Sequence, residues 1–223
     1  MRLIDTHSHL FLEEFSEDFP QVIERARAAG VTHIFMPNID STTIEAMLSA
    51  CSVYKGYCFP MIGLHPTSVN ANYEKELEIV ARELKFSKEY VAIGEIGMDL
   101  YWYKTYLKEQ QIVLDKQVNW ALEYDLPIVI HCRDAFDYIY KVLEPYKKTP
   151  LRGIFHSFTG TAEEAARVLE FSDFFIGING VVTFKKSHLP EILAGIPLEK
   201  IVLETDSPYL TPVPNRGKRN ESA

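Results

Sequence analysis

Short apolar or β-branched runs recur along the 223-residue chain at 2–6, 31–36, 59–63, 91–94, 128–131, 153–156, 174–178 and 201–204. Each is short and bounded by polar or turn-forming residues, which is the pattern of a β-strand. Between them lie stretches such as FPQVIERARAAG, YEKELEIVARELK, YLKEQQIVLDKQVNWALEY, AFDYIYKVLEPY and TAEEAARVLEF. Their apolar residues return every three or four positions, the stripe of an amphipathic helix. Gly30 and Pro127 stand where two of these helices should stop. Eight strands alternating with helices predict an α/β chain folded as a (β/α)8 TIM barrel, because parallel crossovers bury both faces of each strand. Only seven covering helices can be counted, since the chain ends 17 residues after Asp206. The last helix is therefore expected to be lacking or truncated, which should leave an apolar surface between strands eight and one. An open doubly wound sheet is the competing arrangement. With no repeat or low-complexity tract before the tail PVPNRGKRNESA, residues 1–223 read as a single domain.

Composition narrows the function classes. A 25.6 kDa chain with 47% hydrophobic residues can build one sizeable core. No apolar run approaches the roughly 20 residues that span a bilayer, so no membrane partner is expected. Cys51, Cys58 and Cys132 are odd in number and lack C-x-x-C spacing, which suits reduced thiols in the cytoplasm. A formal charge of −8 excludes a protein that coats nucleic acid through a broad basic surface, though not one with a local basic patch. Nothing in the pattern specifies an oligomeric state.

The chemistry gathers at the strand ends, where a barrel of this kind builds its active site. Strand one runs into DTHSHL, and alternation along an extended chain sends His7 and His9 to one side, where two imidazoles can grip one ion. Strand three leads to GLHP with His65, strand four to GEIGMD with Glu95, strand five to IHCRD with His131, and strand six to FHSF with His156. Strand eight ends in ETDSP, with Glu204 and Asp206 two residues apart on one face. Single residues have plain structural explanations: His33 packs in its strand, His188 flanks a helix, Asp99 sits in a turn. His65 is either a donor behind the ligands or a loop-shaping residue. The joint pattern of nitrogens and carboxylates from strands one, four, five, six and eight predicts a metal centre.

IDTHSHL, GLHP, IGEIGMD, LPIVIHCRDA, FHSFTG, VTFKKS and LETDSPYL resemble, in order and spacing, the motifs of the TatD-type metal-dependent deoxyribonucleases, a branch of the amidohydrolase superfamily of TIM barrels. The resemblance runs from the first residues to the tail. It implies two divalent ions, one on His7 and His9, the other on His131 and His156, with Glu95 bridging them. It also implies that Asp206 binds the first ion and the nucleophilic water. Two departures stand out. Family members usually read NEPA where this chain has Asn220-Glu221-Ser222-Ala223, and they continue for another helix and more.

A divalent hydrolase follows from these residues on physical grounds too, because neutral-pH phosphodiester cleavage needs a water acidified toward a pKa of about 7 between cations. Asp206 is the expected proton acceptor and donor, and Glu95 spaces the ions. Glu204 is expected to orient a ligand histidine through its other ring nitrogen. Imidazole with carboxylate suits zinc or manganese, while magnesium prefers oxygen. An anionic substrate needs cations on the rim. Arg133, Lys185 and Arg219 are the candidates, with Arg216, Lys186 and Lys218 nearby, the last two read as solvated charges. Tyr101, Trp102 and Tyr103 have the residue type for stacking on a base. The expected substrate is single-stranded DNA, cleaved from the 3′ end, the direction being what the resemblance implies. Another ester or amide hydrolase, such as a deacylase of mischarged aminoacyl-tRNA, is the alternative. A non-catalytic metal-stabilised scaffold is disfavoured because Glu95 and Asp206 are both present.

Overall fold

The computed structural model describes residues 1–102 and 104–223. Eight strands follow in chain order: β1 (Leu3–Asp5), β2 (Val31–Pro37), β3 (Cys58–Met61), β4 (Ile93–Asp99), β5 (Ile128–Arg133), β6 (Gly153–Phe155), β7 (Phe174–Ile178) and β8 (Ile201–Leu203). Seven helices alternate with them: α1 (Phe19–Ala28), α2 (Ile44–Val53), α3 (Tyr73–Phe86), α4 (Leu107–Glu123), α5 (Phe136–Leu143), α6 (Ala162–Val168) and α7 (Leu189–Leu193). The strands pair in parallel as two arcs, β1-β2-β3 and β4-β5-β6-β7-β8. Bridges Ser8–Ser207 and Ile62–Ile93 join the arcs. Backbone hydrogen bonds from Thr6 N to Leu203 O, Asp206 N to His7 O, Ile62 N to Ala92 O and Gly94 N to Ile62 O complete both seams. The sheet thus closes into an eight-stranded barrel rather than an open doubly wound sheet.

Local chemistry explains the elements. In α1, Pro20 occupies the first turn, Arg25 and Arg27 the last, and Val22, Ile23 and Ala26 form the buried stripe. Gly30 follows at φ +93°, the left-handed conformation that glycine adopts without cost. A capping box of Thr161 and Glu164 starts α6. Helix-facing strand residues such as Ile34, Ile96, Ile130 and Ile176 are fully buried in one continuous core. A smaller cluster of Met61, Ala92 and Val129 packs with Phe35 and Val91.

One boundary differs from the sequence pattern in a way that matters for the site. The fourth apolar run ends at residue 94, but β4 continues through Glu95 to Asp99. Gly97, at φ +136°, makes this possible: a Cβ there would lie 2.0 Å from the His131 carbonyl oxygen, so only glycine lets β4 and β5 lie this close.

Among the described residues no helix follows β8, and none is long and apolar enough to cross a membrane. Ile4 on β1 and Leu203 on β8 are 47% and 56% exposed, the apolar surface foreseen between these strands. Residues 205–223 instead fold back across the seam. Asn220 Nδ2 donates to the carbonyls of Thr205 and Tyr209, both at 2.8 Å. Arg219 reaches both carboxylate oxygens of Asp18 at 2.7 and 2.8 Å, and Arg25 pairs with Asp18 and Glu221. Hydrogen bonds from Arg219 and then Arg25 hold the Asp18 carboxyl down at about 2, and Arg25 chiefly holds Glu221 below its usual range. Depressed carboxylates stabilise the fold above their unfolded values near ~4, and that contribution is lost as pH falls through the folded values. The melting temperature should therefore drop between about pH 4 and pH 2, and Arg219→Ala should flatten that part of the profile.

Candidate metal centre

The extended chain after β1 points His7 and His9 to the same side, and both are buried. Their Nε2 atoms lie 3.2 Å apart. Glu95 Oε2 sits 3.1 Å from the first and 3.6 Å from the second, and Asp206 Oδ1 sits 3.7 and 3.6 Å from them. Four ligands held at about 2.0–2.1 Å from a tetrahedral ion stand roughly 3.3 Å from one another. These separations fall around that value. The other oxygen of the same carboxylate serves a second set: Glu95 Oε1 is 3.0 Å from His131 Nδ1, 3.2 Å from His65 Nε2 and 3.3 Å from His156 Nε2. Glu95 thus stands between two clusters with one oxygen turned to each.

A second layer of residues fixes the rings. Asp99 Oδ2 lies 3.1 Å from His131 Nε2, which leaves Nδ1 to face Glu95. Asp99 Oδ1 accepts from the backbone N–H of Tyr101 and Trp102 at 3.0 and 2.8 Å. Glu204 Oε1 lies 3.1 Å from His156 Nδ1, off the line of a hydrogen bond, and accepts from Ser157 N at 2.5 Å. Gly177 leaves it room, since a Cβ there would fall 2.6 Å from Glu204 Oε2. His65 shapes its loop and also faces the cluster. Its Nδ1 accepts from Thr67 N at 3.2 Å, capping the turn Pro66–Ser68. Its Nε2 lies 3.2 Å from Glu95 Oε1 and belongs to the cluster with His131.

Asp99 is the residue the sequence pattern missed. It reads as a turn aspartate because the apolar run has already stopped, and the signal that recovers it is GEIGMD taken whole, with two carboxylates four residues apart around a glycine.

The donors fit a divalent cation. Two imidazole nitrogens 3.2 Å apart that also face carboxylate oxygens offer more lone pairs than protons can satisfy, and a cation meets that excess. Burial lowers His7, with His156 adding to it against Glu95, and burial likewise lowers His65. Burial would lower His131 and His156 too, but Asp99 and Glu95 raise the first, and Glu204 and Glu95 lift the second well above its usual value. Burial would raise Glu95, yet His65, His156 and His7 hold it well below the carboxylate range. Against the same penalty, His9, His156 and His7 keep Asp206 low. Among the described residues, three groups bring their ligand atoms within 4.8 Å of one another: His7, His9 and Glu95; His7, His156 and Asp206; His65, Glu95 and His131.

Above these residues opens a cavity of about 760 Å³, lined among others by His9, His65, Glu95, Trp102, His131, Arg133, His156, Asp206 and Tyr209. Of the three cations expected on the rim, only Arg133 lines it. Lys185 is exposed outside the lining. Arg219 is turned to the flank: its guanidinium is neutralised by Asp18 and Glu221 and lies 4.6 Å from the Phe15 ring centre, so it is a staple of the tail rather than a phosphate ligand. Tyr101 and Trp102 stand at the mouth, and Tyr103 lies outside the described residues.

The model of the TatD related DNase family matches residues 4–223. The uncharacterized metal-dependent hydrolase YabD of Bacillus subtilis (strain 168) is 38% identical over 98% of this chain and 85% of its own length. The 3′-5′ ssDNA/RNA exonuclease TatD of Pantoea sp. (strain At-9b) is 34% identical over 94% of this chain and 81% of its own. The crystal structure of YjjV, a TatD homologue from Escherichia coli K12, superposes with a TM-score of 0.92 at 30% identity, covering 99% of this chain and 85% of that one.

Proposed function

The chain belongs to the TatD-related DNase family of metal-dependent hydrolases, and from that premise we propose that it uses two divalent ions to cleave single-stranded DNA stepwise from the 3′ end. The observation that carries the reading is the split of Glu95, one oxygen toward His7 and His9 and the other toward His131 and His156. In this reading His7, His9 and Asp206 would hold one ion and His131 and His156 the other, with Glu95 offering one oxygen to each set. Bound divalent ions supply Lewis acidity, which makes water a competent nucleophile near neutral pH and offsets charge on the phosphate.

The chain's own residues do the rest. Asp206 lines the cavity, and its Oδ1 lies within 3.7 Å of the histidine nitrogens. A carboxylate kept ionised there can take the proton of the attacking water and hand it to the leaving oxygen. Asp99 holds the His131 ring by a hydrogen bond, and Glu204 places a carboxylate oxygen 3.1 Å from His156 Nδ1, so much of the ligand geometry is set before substrate arrives. Arg133 offers a planar guanidinium to a phosphate of the bound strand. Zinc or manganese suits the mixed imidazole and carboxylate set better than magnesium. The three cysteines are free, which supports a reducing compartment such as the cytoplasm.

The test is a metal-reconstituted assay on end-labelled oligonucleotides beside an aminoacyl ester. Stepwise shortening of the single strand from its 3′ end, abolished by chelator, is the expected result. Intact oligonucleotides with a hydrolysed aminoacyl ester would replace the nuclease reading with a deacylase.

A further inference from the structure

Asp99, the last residue of β4, is fixed through its main chain. The buried Gln110 of α4 clamps it: Gln110 Oε1 accepts from Asp99 N at 2.9 Å, and Gln110 Nε2 donates to Asp99 O at 3.3 Å. Asp99 also pairs in register with Arg133 of β5, and the next amide, Leu100 N, donates to Arg133 O at 2.9 Å. From this fixed point the buried carboxylate divides its two oxygens. Oδ2 lies 3.1 Å from His131 Nε2, while Oδ1 accepts from the N–H groups of Tyr101 and Trp102 at 3.0 and 2.8 Å.

Each oxygen has its own consequence. An ionised carboxylate only accepts, so the ring nitrogen that faces it carries the proton. A proton held on Nε2 leaves the lone pair of His131 Nδ1 for the side of Glu95 Oε1, 3.0 Å away, where the second ion would sit. On the other side, the two amides held by Oδ1 belong to the rim. They keep the Tyr101 ring centre 4.2 Å from the Arg133 guanidinium and Trp102 on the cavity wall, with 63% of Trp102 exposed.

We propose that Asp99 is a positioning residue with two separable duties: through Oδ2 it sets the His131 tautomer that can ligate the second ion, and through Oδ1 it holds the aromatic rim of the cavity. The inference rests on the two-ion reading and holds whichever ester is cleaved. An amide at this position separates the duties. Two backbone donors against one ring nitrogen keep the amide oxygen of Asp99→Asn on Tyr101 and Trp102, so its NH2 group faces His131 Nε2. That nitrogen must then accept, and the ring proton moves to Nδ1, where it occupies the lone pair the ion needs. An aspartate with a merely structural part would behave in the opposite way. Asparagine, almost the same in size and shape, would be its mildest replacement and alanine the harsher one.

The experiment titrates zinc by calorimetry into chelator-treated wild type, Asp99→Asn and Asp99→Ala, with nitrogen NMR of the His131 ring and the anisotropy of Trp102 emission as further readouts. The other indole, Trp120, is buried in α4 and common to all three proteins. Asp99→Asn should weaken the second zinc about 100-fold, carry the His131 proton on Nδ1 and keep the wild-type anisotropy. Asp99→Ala leaves the ring free to take either tautomer, so it should weaken that zinc only about tenfold, while the anisotropy falls as the rim loosens. Alanine as damaging to zinc binding as asparagine, or a His131 ring in Asp99→Asn that keeps its proton on Nε2, overturns the tautomer duty. Unchanged anisotropy in Asp99→Ala overturns the rim duty. Wild-type His131 nitrogens that do not shift on adding zinc overturn the two-ion reading, and the proposal with it.

Discussion

Asp206→Asn will lower kcat for oligonucleotide hydrolysis by about 10³-fold, the scale of a lost general base, while the thermal melt and at least one bound ion persist. The exchange removes the ability to accept a proton and little else. An amide oxygen still coordinates, and the side chain keeps its size beside His7 and His9. The backbone also tolerates it: Asp206 sits at φ +57°, and asparagine, like aspartate, enters that left-handed region more readily than other side chains. A melt that stays in place therefore separates chemistry from folding. Turnover equal to wild type would remove Asp206 as the proton carrier.

Glu95→Gln should act through occupancy. One carboxylate oxygen faces each ligand set, so a neutral amide weakens both at once and offers only one good acceptor oxygen to two ions. Affinity should fall by more than the roughly 10–100-fold typical of residues behind the ligands. Activity should fall with it and return in part when metal is raised, whereas Asp206→Asn should not respond to added metal. Titration calorimetry on chelator-treated protein, run beside the activity assay, distinguishes the two. Wild-type affinity in Glu95→Gln would place the ions elsewhere.

How far the site was legible can be argued residue by residue. His7 and His9 were readable because alternation on an extended chain is a one-dimensional rule, and Glu95, His131, His156 and Asp206 because barrels place their chemistry at strand ends. The barrel itself was readable from the count of runs, although its two closures rest on isolated bridges that no run announces. Asp99 was not readable, because the continuation of β4 depends on the left-handed Gly97 and the close passage of β5, a matter of three-dimensional fit. Arg219 was misread for a similar reason. Its partner Asp18 lies 201 positions away, so sequence shows a basic tail where the folded chain holds a neutralised pair.

The seams of the barrel give the metal centre a mechanical part. His7, His9 and His65 follow strands of the three-stranded arc, while Glu95, His131, His156 and Asp206 belong to strands, or their ends, of the five-stranded arc. Any ion shared by His7 and Asp206 straddles the β8–β1 seam, and Glu95 reaches from one arc to the histidines of the other. An ion present at a hundred times its dissociation constant would add about 2.7 kcal/mol to the folded state, and here that energy would be applied where the hydrogen-bond ladder is thinnest. Bound metal would then work as a buckle on a hoop. Chelation should unfasten the hoop at its joins first, so that the amides of Thr6, Asp206, Ile62 and Gly94 exchange with solvent before those inside either arc.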